Sequence, residues 1–209
     1  MQTTTKTTAR RIALLTALPL VGALALAGCS SDDDDRDDVA APAASAPAAS
    51  APSVASGDSS SAATGNDALP TAAATARKAV GSGTVTAIEQ EAGGTSWEVL
   101  VVTADGREQE VHVDADGRRT TAGPTKETSD ADDVAEAKRF VGAADLSVAQ
   151  AASALTKTVS GTVTELGLDD HAGAVVWEGD VRDASGTKHS IRIDAGSGEV
   201  VTNTVDTDD

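Results

Sequence analysis

The feature that most constrains the fold is the stretch from Leu146 to Val201, which predicts one amphipathic helix followed by three short strands. Ser147 and Gln150 have the spacing of a capping box, and apolar residues then recur in steps of three and four from 148 to 159. Three segments with period-two alternation follow, separated by turns rich in Gly and Asp. The apolar face of the three strands must be shielded from water, and the apolar side of the helix can pack against it.

A shorter copy of this stretch lies about eighty residues upstream. The matching positions are spread over three strands and two turns, which predicts a duplicated unit. Turn chemistry shared by two unrelated β-rich segments is the alternative. The aligned segments are Gly83-Thr84-Val85-Thr86 with Gly161-Thr162-Val163-Thr164, Trp97-Glu98 with Trp177-Glu178, and Val113-Asp114-Ala115 with Ile193-Asp194-Ala195.

The second copy resembles the PepSY domain. A helix, then Gly-x-Val, a Trp at the start of the middle strand and an ending of Ile-Asp-Ala-Gly-Ser-Gly-Glu-Val carry the resemblance, from Ser147 to Val201. The first copy fits from about Gly83 to Thr120, and its ending departs from the pattern. The resemblance implies a cystatin-like unit of peptidase propeptides and cell-envelope proteins that binds or restrains extracytoplasmic proteins. It brings no catalytic residues.

We therefore predict an α+β protein. It would contain two cystatin-like, PepSY-like units after a disordered lipoprotein tether, each unit a helix packed on a three-stranded antiparallel sheet. The predicted boundaries are 68–123 for a divergent first unit, 129–142 for a connector helix and 145–203 for the second unit. A unit of this size without disulfides is only marginally stable alone. The two copies are therefore expected to pack against each other or to be stabilised by a partner.

The N-terminal residues 1–28 are predicted to be a lipoprotein signal peptide. Basic residues precede an apolar run from Ile12 to Leu26, which is shorter than the roughly twenty residues that span a bilayer. The run ends in Leu26-Ala27-Gly28-Cys29, which resembles a lipobox. We predict cleavage between Gly28 and Cys29 and lipidation of Cys29, the one cysteine of the chain, which would anchor the protein at the extracytoplasmic face of the cell membrane. An ordinary signal with an incidental cysteine is the alternative.

Residues 29–67 are predicted to be a disordered tether. Six of the seven residues from Asp32 to Asp38 are Asp, and a stretch rich in Ala, Pro and Ser follows. Such a composition buries too little apolar surface to offset the entropy of ordering. A solvated spacer is the favoured interpretation of the acidic run, and loose binding of divalent cations is the alternative.

Composition and motifs exclude several classes of function. The formal net charge of −17 excludes a generic nucleic-acid binder and favours a cationic partner, if charge drives binding at all. The sequence contains neither a Gly-rich phosphate loop after a strand nor a Gly-x-Ser-x-Gly elbow, and no nucleophile or carboxylate pair stands out. We predict that the protein is not an enzyme and carries no cofactor.

The candidate site residues are three histidines and two tryptophans. His112 is predicted to be a solvated strand residue, His171 an exposed turn residue and His189 a partly buried residue at a strand end, so no metal site is expected. An enzyme would need a cleft in which His171 or His189 meets two carboxylates. Trp97 and Trp177 are predicted to anchor the core, and an exposed one would be the best candidate for a binding residue.

The function predicted from these features is a membrane-anchored extracytoplasmic binding module. It would bind, inhibit or regulate another envelope or secreted protein such as a peptidase. The alternative is a cation-responsive or cell-wall-associated structural lipoprotein without a specific protein partner, which the acidic run favours.

Overall fold

The structure, a computed structural model, describes residues 65–206. These residues form three α-helices, one short 3₁₀ helix and one eight-stranded sheet in which all neighbouring strands are antiparallel. The elements are the 3₁₀ helix Gly65–Asp67, α1 (Ala68–Val80), β1 (Thr84–Glu91), β2 (Ser96–Val102), β3 (Glu108–Asp114), β4 (Thr120–Lys126), α2 (Ala131–Ala143), α3 (Val148–Thr158), β5 (Gly161–His171), β6 (Ala174–Asp183), β7 (Lys188–Asp194) and β8 (Val200–Val205).

The strand order is β4-β3-β2-β1-β5-β6-β7-β8. Each half of the sheet is therefore a four-stranded meander preceded by a helix, and β1 and β5 join the halves. Their pairing sets Ala87 opposite Gly167, Ile88 opposite Leu166 and Glu89 opposite Glu165. An unpaired strand edge exposes a row of N–H and C=O groups, and the β1–β5 pairing removes two such edges at once.

The predicted mixed α+β class is confirmed, but the sheet differs from the prediction in two respects. Each half has four strands instead of three, and the halves form one sheet instead of two separate ones. The fourth strand of each half could not be predicted from the sequence, because its residues do not alternate between apolar and polar. Every residue of β4 is exposed, and β8 has one partly buried residue among five exposed ones.

Both α1 and α3 cover the same face of the sheet. Helix α1 contacts β1 to β4, and α3 contacts β1 and β5 to β7. The predicted cap is present at α3, where the Ser147 side chain accepts a hydrogen bond from the backbone N–H of Gln150 and the Gln150 side chain accepts one from the N–H of Ser147. Side chains of both helices and of strands from both halves belong to one continuous core.

A glycine allows the helix to pack close to the sheet in the second half. Gly179 lies in β6 beneath α3, and a Cβ atom at this position would lie 2.4 Å from Leu155 Cδ2. The leucine thus fills the space that glycine leaves. In the first half, Val99 is a fully buried residue of β2, while the buried side chains of α1 are four alanines and Leu69.

Helix α2 connects the two halves and overlaps the connector predicted at 129–142, which it exceeds by one residue at its end. Asp130 and Asp133 form a capping box at its start. The helix contacts β1 and β2, and Gly106 in the turn after β2 lies against Val134 and Lys138. Ala137 is buried, although it lies outside the main core.

Several predictions concern residues outside those that the structure describes. Gly28, Cys29 and most of the tether at 29–67 belong to this group. Between residues 65 and 206, none of the helices has the length and apolar character needed to cross a membrane.

Candidate functional site

The two predicted tryptophans occupy the core. Trp97 is 2% exposed and Trp177 is fully buried. The indole N–H of Trp97 donates to the carbonyl of Ala115 at 3.2 Å, and that of Trp177 donates to the carbonyl of Leu146 at 3.1 Å. Each ring therefore has a satisfied polar edge and packs beneath a helix. Neither ring offers a surface to a partner, so the candidate binding role of Trp97 and Trp177 does not fit this structure.

The feature that stands out on the opposite face is a row of carboxylates. Glu98, Glu89, Glu165 and Asp180 lie directly opposite one another on the adjacent strands β2, β1, β5 and β6. Directly opposed residues share one face of a sheet, with Cβ atoms about 5 Å apart. We call these four residues the acidic row. Their neighbours along each strand, such as Val99 and Ile88, point into the core, so the row lies on the face away from α1 and α3.

Three carboxyls of the acidic row, those of Glu89, Glu98 and Glu165, have a raised pKa. Desolvation, followed by the charges of Glu89 and Asp180, raises the pKa of Glu165 to about 7. Desolvation, followed by repulsion from Glu110 and Glu91, raises the pKa of Glu98 to about 7 as well. The pKa of Glu89 is raised by the same kind of desolvation and by its acidic neighbours. The row therefore concentrates negative charge that the fold itself leaves largely uncompensated.

Compensating cations lie mainly in the second half. The Lys188 ammonium is 2.8 Å from a carboxylate oxygen of Asp180. The Arg192 guanidinium donates two hydrogen bonds, of 2.8 and 2.7 Å, to the carboxylate of Glu178. Such a bidentate pair fixes both side chains. Toward the first half, the residue that meets the row is His112, directly opposite Glu98.

His112 is not the solvated strand residue that the sequence predicts. Its side chain is only 29% exposed and contacts two carboxylates. Nε2 lies 2.8 Å from Oε1 of Glu110, and Nδ1 lies 3.3 Å from Oε2 of Glu91. Glu98 completes the group, because one possible ligand atom from each of Glu91, Glu98 and His112 lies within 4.8 Å of the other two. We call these three residues the imidazole–carboxylate cluster.

Sequence reasoning missed this cluster because its members lie on three different strands. A sequence reveals metal ligands mainly by their spacing within one element, and none of the histidines has such a spacing. The signal that could have revealed part of it is the Asp105-Gly106 turn. That turn fixes the β2–β3 register and places Glu98 opposite His112.

The other two histidines do not meet pairs of carboxylates. His189 is partly buried, as predicted, and its Nε2 lies 3.3 Å from Oδ2 of Asp183. His171 is the last residue of β5 and is partly buried, whereas an exposed turn residue was predicted. The arrangement expected of an enzyme, with His171 or His189 beside two carboxylates, is not seen among residues 65–206. The histidine that contacts two carboxylates is His112 instead.

The comparisons with known proteins bear on the second half of the sheet. Residues 145–202 match the family model described as "Peptidase propeptide and YPEB domain". This segment is a PepSY domain. It runs from just before α3 into β8 and contains Glu165 and Asp180 of the acidic row. Glu89 and Glu98 lie outside it, so the acidic row crosses the boundary of the PepSY domain.

A solved structure also resembles the chain. It is the crystal structure of a proposed lipoprotein from Clostridium difficile 630, with 16% sequence identity and a TM-score of 0.45. The alignment covers 69% of this chain and 96% of the other. A search among curated proteins finds no match.

Proposed function

We propose that the protein is an extracytoplasmic binding module that holds a basic segment of another envelope or secreted protein, such as a peptidase, against its acidic row. Lipid attachment at Cys29 would keep it at the membrane. The PepSY domain at 145–202 supports the general class, since such domains are regulatory or binding modules related to peptidase propeptides. The acidic row is the observation that carries the specific proposal.

Four like charges opposite one another on adjacent strands are costly to a fold. Directly opposed like charges destabilise a sheet pair, typically by a few tenths of a kcal/mol to about 1 kcal/mol. The row meets this cost at three successive strand pairs, β2–β1, β1–β5 and β5–β6, and Lys188 offsets part of it at Asp180. A lysine or arginine side chain from a partner would relieve it, and the relief would add to the free energy of binding.

The charge of the whole chain acts in the same direction. A formal net charge of −17 attracts a basic partner before contact and repels acidic ones. The acidic row provides a defined surface on the sheet at which the attracted basic partner can bind. Complex formation should therefore weaken as salt is added.

Affinity capture from envelope extracts tests the proposal. The bait should begin before Gly65, because the Asn66 side chain donates to the carbonyl of Gly161 at 2.7 Å and accepts from the N–H of Val163 at 2.9 Å. The test variant replaces both central carboxylates, Glu89→Gln and Glu165→Gln. The control variant, Asp67→Asn with Glu199→Gln, removes the same number of charges from exposed positions elsewhere.

We expect the wild type and the control to capture the same protein in a salt-sensitive manner, and the Glu89/Glu165 variant to lose it. Capture that survives in the Glu89/Glu165 variant would place the binding surface elsewhere. If no protein is captured reproducibly by the wild type, the binding-module proposal itself fails.

A further inference from the structure

We propose that the imidazole–carboxylate cluster of Glu91, Glu98 and His112 binds a divalent transition-metal ion, with zinc as the best fit. The three residues lie on β1, β2 and β3, and the possible ligand atoms are within 4.8 Å of one another. Antiparallel pairing fixes the backbone on all three strands, so only side-chain rotations separate the present arrangement from a coordination sphere.

The orientation of the imidazole ring supports the proposal. Glu110 lies 2.8 Å from Nε2, which is the shorter of the two contacts between the ring and a carboxylate, and an ionised carboxylate can only accept. In the tautomer with the proton on Nε2, Nδ1 has a free lone pair on the side of Glu91. Metal-binding histidines commonly donate their second N–H to a carboxylate in this way. Glu110 would thus orient the ligand without touching the ion.

The spacing between the two nearest ligand atoms also fits. Nδ1 of His112 lies 3.3 Å from Oε2 of Glu91. Two ligand atoms bound to tetrahedral zinc at roughly 2.0–2.1 Å are about 3.3 Å apart. Glu98 faces His112 across the β2–β3 pair and has a possible ligand atom within 4.8 Å of the other two.

The second half of the sheet provides an internal comparison. Trp97 pairs with Val113 in the first half and Trp177 pairs with Ile193 in the second, so Glu98–His112 and Glu178–Arg192 occupy corresponding positions. In the second half the guanidinium of Arg192 neutralises Glu178 through two hydrogen bonds. In the first half an imidazole stands in the place of the guanidinium, and Glu91 and Glu110 approach it. Arginine supplies a permanent positive charge but no ligand atom, whereas a neutral histidine supplies a ligand atom and leaves the charge to a cation.

The donor set selects the type of ion. One imidazole nitrogen and two carboxylates suit zinc and its neighbours in the transition series. Calcium prefers six to eight oxygen ligands, which this cluster does not supply. Three protein ligands leave one position of a tetrahedral ion open to water or to a group from outside the chain.

The test uses the full chain, and its probes are zinc and cobalt salts. Calorimetric titration should show one tight zinc site, and zinc should raise the melting temperature. Cobalt bound at the same place should give the visible absorption bands of a four-coordinate site. The variants His112→Gln and His112→Arg should both lose the tight site and the cobalt bands. The arginine variant can form the ion pair seen between Arg192 and Glu178, so it should remain folded even if the glutamine variant does not.

Further variants separate this site from other sources of binding. His171→Gln and His189→Gln remove the other two imidazoles of the chain and should leave the tight site intact. Glu110→Gln should retain one ion per chain and weaken its binding about 10- to 100-fold, as expected for loss of an orienting carboxylate. Absence of a tight site in the wild type would overturn the proposal. So would binding that persists in a folded His112→Arg variant, since the acidic run at 32–38 would then be the source.

Discussion

Replacing Glu165 with Gln should stabilise the protein at neutral and alkaline pH and have little effect in acid. Glu165 lies at the centre of the acidic row, and its pKa is raised from 4.5 to about 7, first by desolvation and then by the charges of Glu89 and Asp180. A carboxyl with a higher pKa in the folded state binds more protons there than in the unfolded chain. Its contribution to stability is therefore full below about pH 4.5, falls as the pH rises, and is lost above about pH 7.

The size of the effect follows from the shift in pKa. Each pKa unit corresponds to 1.36 kcal/mol, so an unscreened shift of this size would be worth about 3 kcal/mol. Glu165 is exposed to solvent, however, and screening of exposed charges reduces the expected gain to about 1 kcal/mol. Glutamine keeps the shape of the side chain and cannot ionise, so Glu165→Gln should show little of this gain below about pH 4.5 and the whole of it above about pH 7.

Urea unfolding of the wild type and the variant at about pH 4 and about pH 8 measures the difference. With a slope of about 2 kcal/mol per molar urea, a gain of about 1 kcal/mol moves the midpoint by about 0.5 M. Glu178→Gln is the matched control, because it breaks the bidentate pair with Arg192 and should destabilise the protein at about pH 8. A folded Glu165→Gln variant that is no more stable than the wild type at about pH 8 would show that the acidic row is not under electrostatic strain.

Three further results are expected. Gly179→Ala should destabilise the protein by about 1–3 kcal/mol in urea unfolding, because its Cβ atom would lie 2.4 Å from Leu155; an unchanged midpoint would contradict the described packing of α3. Cys29→Ser should release the protein from membranes or leave an uncleaved precursor, and a variant that fractionates and migrates like the wild type would exclude lipidation. In thermal melts followed by circular dichroism, the fragment 145–209 should unfold cooperatively. The fragment 65–126 should be largely unfolded, because the buried side of α1 is mostly alanine. A cooperative transition in 65–126 with none in 145–209 would refute this reasoning.

The elements with a buried face could be predicted from the sequence. The cap at Ser147 and the alternation around Trp177 and Ile193 are local patterns, and the structure contains the helix and strands that they predict. Strands β4 and β8 have almost no buried side chains, so hydrophobic periodicity carries no signal for them. They are held mainly by backbone pairing to β3 and β7, which depends on register and not on composition.

The candidate site was harder to predict for a related reason. The acidic row exists only because β1 pairs with β5, which sets Glu89 opposite Glu165 across an interval of more than seventy residues. Each glutamate alone is an ordinary polar residue of an alternating strand. The histidine prediction failed in the same way, since the carboxylates that approach His112 come partly from β1 and β2. Sequence spacing identifies neighbours within an element, whereas both features depend on neighbours across strands.

The two halves of the sheet show how one backbone pattern can hold different chemistry. In the core of the second half, the strand residue Gly179 is small and the helix residue Leu155 above it is large. In the first half, the corresponding strand residue Val99 is larger, and the helix buries mostly alanine. The larger side chain therefore lies on the helix in one half and on the strand in the other. On the opposite face, Arg192 neutralises Glu178 through two hydrogen bonds, whereas His112 lies opposite Glu98 and contacts Glu91 and Glu110. The core difference preserves packing and accounts for no function. The difference on the polar face does not preserve charge balance, and both proposals supply the missing cation from outside the chain, either as a metal ion at His112 or as a basic side chain at Glu89 and Glu165.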